Sequence, residues 1–155
     1  MKGHTMFRKI LSGLCILFCA SALFAAATGP TTPEGWLDNF DEALTLAKKT
    51  GRPVLMLITG SDWCPACIAL KTKVLTTEEF KDLADTKFVL LFVDLPRKAR
   101  LDGELAMQNR MLAGRFKLRG VPTTVILDPD GKEKGRIVGV PKDYVGELKR
   151  IVAKR

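Results

Sequence analysis

Cys64 and Cys67 stand three residues apart in Trp63-Cys64-Pro65-Ala66-Cys67. Two thiols at that spacing can exchange electrons, close a permanent bridge or hold a soft metal ion. Side chains three apart on a helix have Cβ atoms about 5–6 Å apart. A disulfide asks for Cα atoms about 4.4–6.8 Å apart, so a local bridge needs only small adjustment. Pro65 suits the first helical position, where a missing N–H is no loss. The free N–H groups of such a first turn, with the helix dipole, favour thiolate over thiol. Cysteines so placed fall from a pKa of about 8.5 into the range of roughly 3.5–7.5. Cys64, at the exposed helix start, is the expected attacking sulfur, and Cys67, one turn inward, the expected resolving one.

The alternatives remain chemically open. A permanent bridge across so short a loop constrains the unfolded chain little. A zinc site usually takes four ligands, so two chains would have to share one ion through four sulfurs, while thiolates also select copper(I). Haem attachment needs His at position 68, where the chain has Ile68.

The N-terminus changes the inventory around this pair. Lys2, Arg8 and Lys9 precede an almost wholly apolar run, residues 10–24, and then the small residues Ala25-Ala26-Ala27. That order is the pattern of a secretory signal peptide, with cleavage expected after Ala27 and a second candidate cut after Ala22. The other reading is an uncleaved membrane anchor, although the run is short of the roughly 20 residues a spanning helix needs. Loss of residues 1–27 removes Cys15, Cys19 and His4, leaving two cysteines and no histidine. Cys-His and Ser-His-Asp mechanisms are thereby excluded from the mature chain, as is a Cys₂His₂ zinc site. The formal charge of +8 falls by the three cations removed. The remaining excess is modest, and an exported chain without a pattern of stacking aromatics does not read as a nucleic-acid binder.

The whole chain is 155 residues, 46% of them hydrophobic, enough for one domain with a real core. Residues 28–35 read as a linker rich in Thr, Pro and Gly. Phe40, Ala43, Leu44 and Ala47 fall at helical spacing, followed by Lys48, Lys49 and Gly51 at a C-terminus. The apolar run 53–59 suits a strand buried on both faces. A helix is predicted from Cys64 to about Val74, then a short one capped by Thr77. A second buried strand is predicted over 87–95, and a helix from about Asp102 carrying Leu105, Met107, Leu112 and Phe116. Residues 121–140 read as a hairpin turning at Asp128-Pro129-Asp130-Gly131. Pro141 and Asp143 open a last helix with Tyr144, Leu148, Ile151 and Val152. Helices alternating with short buried strands, then a hairpin, predict an α/β domain with a central mixed sheet and helices on both faces.

These parts together resemble the thioredoxin superfamily. The resemblance rests on the strand "PVLMLIT", "WCPAC" opening a helix, "FVLLFVDL", and "FKLRGVPTTVILDPDG", and it covers most of residues 36–152. It is nearest to exported thioredoxin-like proteins carrying "GSDWC" and a "PRK…QN" insertion, here Pro96-Arg97-Lys98 with Gln108-Asn109. The resemblance implies a cis Pro122 against the disulfide, a Val121 backbone that pairs with an extended substrate segment, and Trp63 as an apolar lip beside Cys64. It implies a thiol–disulfide oxidoreductase that reduces or isomerises disulfides of other exported proteins, in the periplasm or outside the cell. No cofactor is implied beyond the Cys64–Cys67 pair, and no metal. A redox partner must reset the pair, and a membrane electron carrier would suit.

Three features depart from thioredoxin itself. Pro65-Ala66 stands where thioredoxin has Gly-Pro, so the direction of reaction is open, with the lack of a histidine between the cysteines favouring the reducing side. Ile58 stands where thioredoxin has a buried Asp able to accept the Cys67 proton; water, Asp62 or Lys71 are the possible substitutes. Asp62 also reads as a surface residue or a cap beside the helix start, and Lys71 as a solvated side chain. Residues 95–115 exceed the thioredoxin stretch by roughly a dozen, long for an idle connection. Arg97, Lys98, Arg100, Arg110 and Arg115 make this stretch either a partner-docking surface or a solvated charged face. Two rivals stand beside the oxidoreductase: a thiol-based metal-binding or delivery protein, and a non-catalytic thioredoxin-like binding domain.

Overall fold

The computed structural model describes residues 32–153. The expected signal peptide, Cys15, Cys19 and His4 lie outside the described residues. Helix α1 spans Phe40–Thr50, and the Asn39 side chain caps it by accepting from the Glu42 N–H. Asp41 and Glu42 sit in its first turn and Lys48 and Lys49 in its last, the charge order that a helix dipole favours. Gly51 ends it in the left-handed region, φ +70°, where a glycine carries no Cβ penalty.

Strand β1, Val54–Thr59, is buried at all six positions. Helix α2 covers Pro65–Lys73 and α3 covers Glu78–Lys87 behind the Thr77 cap. The latter is longer than its sequence suggests. Its end takes in Lys87, and the Phe88 N–H still donates to the Ala84 carbonyl at 3.0 Å, so β2 is Val89–Asp94 rather than 87–95. Helix α4 is Gly103–Arg115, capped by Asp102. Strands β3, Thr123–Leu127, and β4, Glu133–Val138, form the hairpin. Helix α5 is Tyr144–Ala153, and Asp143 accepts from the Gly146 N–H at its start.

The sheet order is β2-β1-β3-β4. β1 runs parallel to β2 and antiparallel to β3, which gives the mixed sheet expected. Successive side chains on a strand point to opposite faces, and β1 divides accordingly. Val54, Met56 and Ile58 pack with α1 and with Leu112 and Phe116. Leu55 and Leu57 pack with Leu70, Phe80, Leu148 and Ile151 from α2, α3 and α5. Leu37 bridges to Leu91 along the outer edge of β2, covering part of that edge.

Helix α4 buries Asn109 and Leu112, whereas Met107 is 59% exposed. The apolar spacing in its sequence is therefore a poor guide to its inner face. Asn109 earns its burial through hydrogen bonds, donating to the Asp94 carbonyl and accepting from Gln108.

Tyr144 is the only tyrosine in the chain, and its hydroxyl meets Thr124 Oγ1 at 2.6 Å inside the core. Burial pushes its pKa up to about 12, against a small opposing effect of the Thr124 bond. The protonated form is thus favoured by folding. The contribution of Tyr144 to stability should be flat below pH ~9 and fall with rising pH between about 10, the unfolded value, and about 12, because the unfolded chain releases the proton first. The tyrosinate absorbance band reads this residue alone and should emerge near pH 12. A midpoint near 10 in the folded protein would contradict the buried pair.

Candidate active site

Cys64 ends the chain segment that follows β1 and is itself the cap of α2. Its backbone is extended, and the Cys67 N–H donates to its Sγ at 3.1 Å. Pro65 occupies the first helical turn. The two cysteines are joined as a disulfide with Cα atoms 5.2 Å apart, within the range that a three-residue spacing allows. The helix start therefore presents a backbone donor directly to the Cys64 sulfur, the arrangement that favours a thiolate once the bridge opens.

Cys64 is less open than its position at the helix start suggests. It is 5% exposed, against 4% for Cys67, so both are buried and residue exposure does not separate them. One reason is the segment before β3. The Val121–Pro122 peptide is cis, and the Val121 carbonyl oxygen lies 3.7 Å from Cys64 Sγ. The Val121 carbonyl thus lies beside Cys64, and the cis Pro122 that follows it is buried while Val121 is half-buried. Ile58, where thioredoxin has a carboxylate, is fully buried among apolar side chains and offers no proton acceptor.

The four residues before Cys64 tie the site to the insertion. Thr59 pairs with Asp94 in the parallel register, so the chain leaves β1 and β2 side by side. Ser61 donates its N–H and its hydroxyl to the Asp94 carboxylate. Asp62 accepts the N–H groups of Arg97, Lys98 and Ala99 at 3.0, 2.7 and 2.9 Å. These bonds, that of Arg97 foremost, hold its carboxyl below the usual carboxylate range. Trp63 donates its indole N–H to the Leu95 carbonyl at 2.8 Å. The Arg97 guanidinium stacks over the indole, 3.7 Å from the ring centroid. Gly60 makes room: a Cβ there would lie 2.5 Å from the indole.

Asp62 is therefore neither a cap on α2 nor a free surface charge. Its negative charge is committed to the loop that follows β2. Trp63 is half-buried and pinned between this loop and Gly60, so any face it offers to a substrate is partly occupied by Arg97. Farther along, Gln108 bonds the Asp38 carbonyl and the Phe40 N–H, and Asn109 bonds the Asp94 carbonyl. Gln108 and Asn109 thus lock α4 onto the start of α1 and the end of β2. Ser61, Asp94, Leu95 and the Arg97 stack were not singled out by sequence reasoning. The available signal was the polar run after one buried strand and the Asp ending another, since adjacent parallel strands deliver their following loops to the same end of the sheet.

Among the described residues no group of three or more His, Cys, Asp or Glu gathers around a common point, and no helix there is long and apolar enough to cross a membrane.

Known proteins supply the context. The chain is 32% identical over 115 residues to a protein of Chlamydia pneumoniae named disulfide bond reductase DsbH, covering 72% of this chain and 69% of that one. A solved structure titled DsbH oxidoreductase matches with a TM-score of 0.71 at 30% identity, over 83% of this chain and 94% of the other. The thiol:disulfide interchange protein DsbD of Ralstonia nicotianae is 35% identical over 114 residues, 71% of this chain but only 17% of that longer relative. A family model described as a thioredoxin-like domain matches residues 40–147. With the mixed sheet, the Cys64–Cys67 bridge at a helix start and that match on the same stretch of chain, this protein belongs to the thioredoxin-like domain family.

Proposed function

We propose that this thioredoxin-like protein-disulfide oxidoreductase works outside the cytoplasm, reducing or isomerising disulfides of other exported proteins through Cys64 and Cys67. The observation that carries the reading is the Cys64–Cys67 bridge at the start of α2, with the Cys67 N–H on Cys64 Sγ and the Val121 carbonyl beside it. The basic and apolar N-terminal pattern of residues 1–27 supports export. The printed name of the Chlamydia relative, a disulfide bond reductase, supports the reducing direction.

In the reduced protein, the Cys64 thiolate attacks one sulfur of a substrate disulfide. A bond forms between Cys64 and that sulfur, and the other substrate sulfur leaves as a thiolate and takes a proton. Cys67 loses its proton and attacks Cys64 Sγ, closing the internal disulfide and releasing the second substrate thiol. Two electrons pass to the substrate. The protein must then regain two electrons from a dithiol of a redox partner, and a membrane-borne thiol:disulfide interchange protein suits that role. Ile58 cannot take the Cys67 proton, so water at the opened bridge is the acceptor we assign. Val121 offers main-chain groups to an extended substrate segment, and Pro122 and Trp63 frame the approach.

The test of direction is the reduction potential of the pair, from the oxidised fraction of the full chain in glutathione buffers. The expected value lies near the thioredoxin end of the known span, about −270 mV, and a value near −120 mV, that of a strong oxidant, would reverse the assigned direction.

A further inference from the structure

The loop after β2 carries Arg97, Lys98 and Arg100, and the segment before Pro122 carries Lys117 and Arg119. One follows the strand beside β1 and holds Trp63; the other leads into the Val121 carbonyl beside Cys64 Sγ. All five cations are exposed, and none of them joins an ion pair among the described residues. The acids nearest these loops are already engaged, Asp102 two residues past Arg100 among them, since it caps α4 by accepting from the Glu104 N–H. Asp94 is buried and bonded to Ser61, and Asp62 holds three successive N–H groups of the loop. The Arg97 guanidinium carbon lies over the indole of the residue next to Cys64, 3.7 Å from the ring centroid, a contact that holds a long side chain in place through the ring face and does not use its N–H groups.

We propose that Arg97, set on Trp63 by the Asp62-anchored loop, is a specificity-determining residue that favours substrate disulfides flanked by acidic residues. The proposal rests on the thiol–disulfide reading above and deepens it. A planar guanidinium pairs with a carboxylate through two parallel N–H···O bonds. A carboxylate carried beside the substrate cysteine would meet Arg97 as the sulfur approaches Cys64, with Lys98, Arg100 and Arg119 adding to the field on both sides. Rim charges of this kind act on encounter and register and are screened by salt. Asp62 acts through the loop and is a positioning residue: it fixes the backbone from which Arg97 reaches the indole.

The experiment uses two synthetic peptides, each closed by one intramolecular disulfide and identical except for Asp or Lys beside the cysteines. The reduced full chain is mixed with excess peptide, and the single-turnover rate of internal-disulfide formation is followed as a second-order rate constant. The unaltered protein is expected to prefer the acidic peptide roughly fivefold, the scale of one exposed charge pair. Arg97→Glu should invert the preference, and Arg97→Lys should keep its sign with a smaller ratio, which loss of folding alone does neither of. Asp62→Asn should lower the ratio of the two second-order rate constants, while the potential of the cysteine pair stays the same. Salt sufficient to shorten the screening length to about 3 Å should erase the preference. Equal rates on the two peptides in the unaltered protein, or a ratio unmoved by Arg97→Glu, would overturn the proposal and leave the oxidoreductase reading standing. Reduction of neither peptide would overturn that reading, and this proposal with it.

Discussion

The Cys64→Ser protein is expected to stay folded and to lose disulfide exchange by on the order of 10³-fold or more, the scale seen when a nucleophile is removed. The two halves of this prediction have separate causes. Serine is among the preferred residues at a helix cap, and its oxygen can accept from the Cys67 N–H as the sulfur does now. The start of α2 should therefore survive, and unfolding should follow that of the reduced parent closely, because the bridge closes too short a loop to constrain the unfolded chain strongly. The chemistry cannot survive: a hydroxyl at this position neither ionises near neutral pH nor forms a bond that Cys67 can resolve. Reduction of a peptide disulfide, measured beside a urea titration, separates the two. Retention of the parent rate would make the protein a thioredoxin-like binding domain with an incidental bridge.

Gly60→Val is expected to destabilise the fold by about 1–3 kcal/mol, the range for forcing extra volume into a filled site. The new Cβ would stand 2.5 Å from the Trp63 indole, and the atoms it meets, Cε2, Nε1 and Cζ2, belong to the rigid ring and not to the free end of a flexible chain. The indole must swing away. It then loses its bond to the Leu95 carbonyl, and Arg97 loses the surface on which it stacks. The change should appear in urea unfolding and in the tryptophan emission of the folded protein, and the exchange rate should fall with it. A variant as stable as the parent, with unaltered emission, would mean that the indole's position is not held by this packing.

The order of elements was legible in the sequence because local signals agreed with the tertiary environment. Asn39, Thr77 and Asp102 sit where caps are needed, and the all-apolar β1 is buried on both faces. Agreement was weakest in α4, where Asn109 is buried and Met107 lies outside. Hydrogen bonding to the end of β2 outweighs apolar spacing there. The cysteine pair was visible from its three-residue spacing, but that spacing left exchange, bridge and metal open, and the strand before it and the "RGVPT" and "DPDG" segments after it pointed to exchange. Its surroundings were not legible, since Asp62 meets Arg97 across 35 positions of sequence. A carboxylate that caps a distant loop looks the same in sequence as one that caps the next helix. Only the parallel register of Thr59 with Asp94 brings the two loops together. The same register explains why "GSDW" and the basic insertion occur in one chain: Ser61, Asp62 and Trp63 each bond to a residue between Asp94 and Ala99.

Trapping separates the attacking sulfur, Cys64, from the resolving one, Cys67. The full chain carrying Cys67→Ser is reduced, mixed with a peptide that holds one intramolecular disulfide, quenched with acid, digested, and mapped by mass spectrometry to separate Cys64 from Cys15 and Cys19. A one-to-one mixed disulfide through Cys64 should accumulate, persist, and be released by added thiol, whereas the unaltered protein should pass through it to the internal bridge. No adduct on Cys67→Ser, or an equally rapid adduct through Cys67 in the Cys64→Ser protein, would mean that Cys64 is not the attacking sulfur.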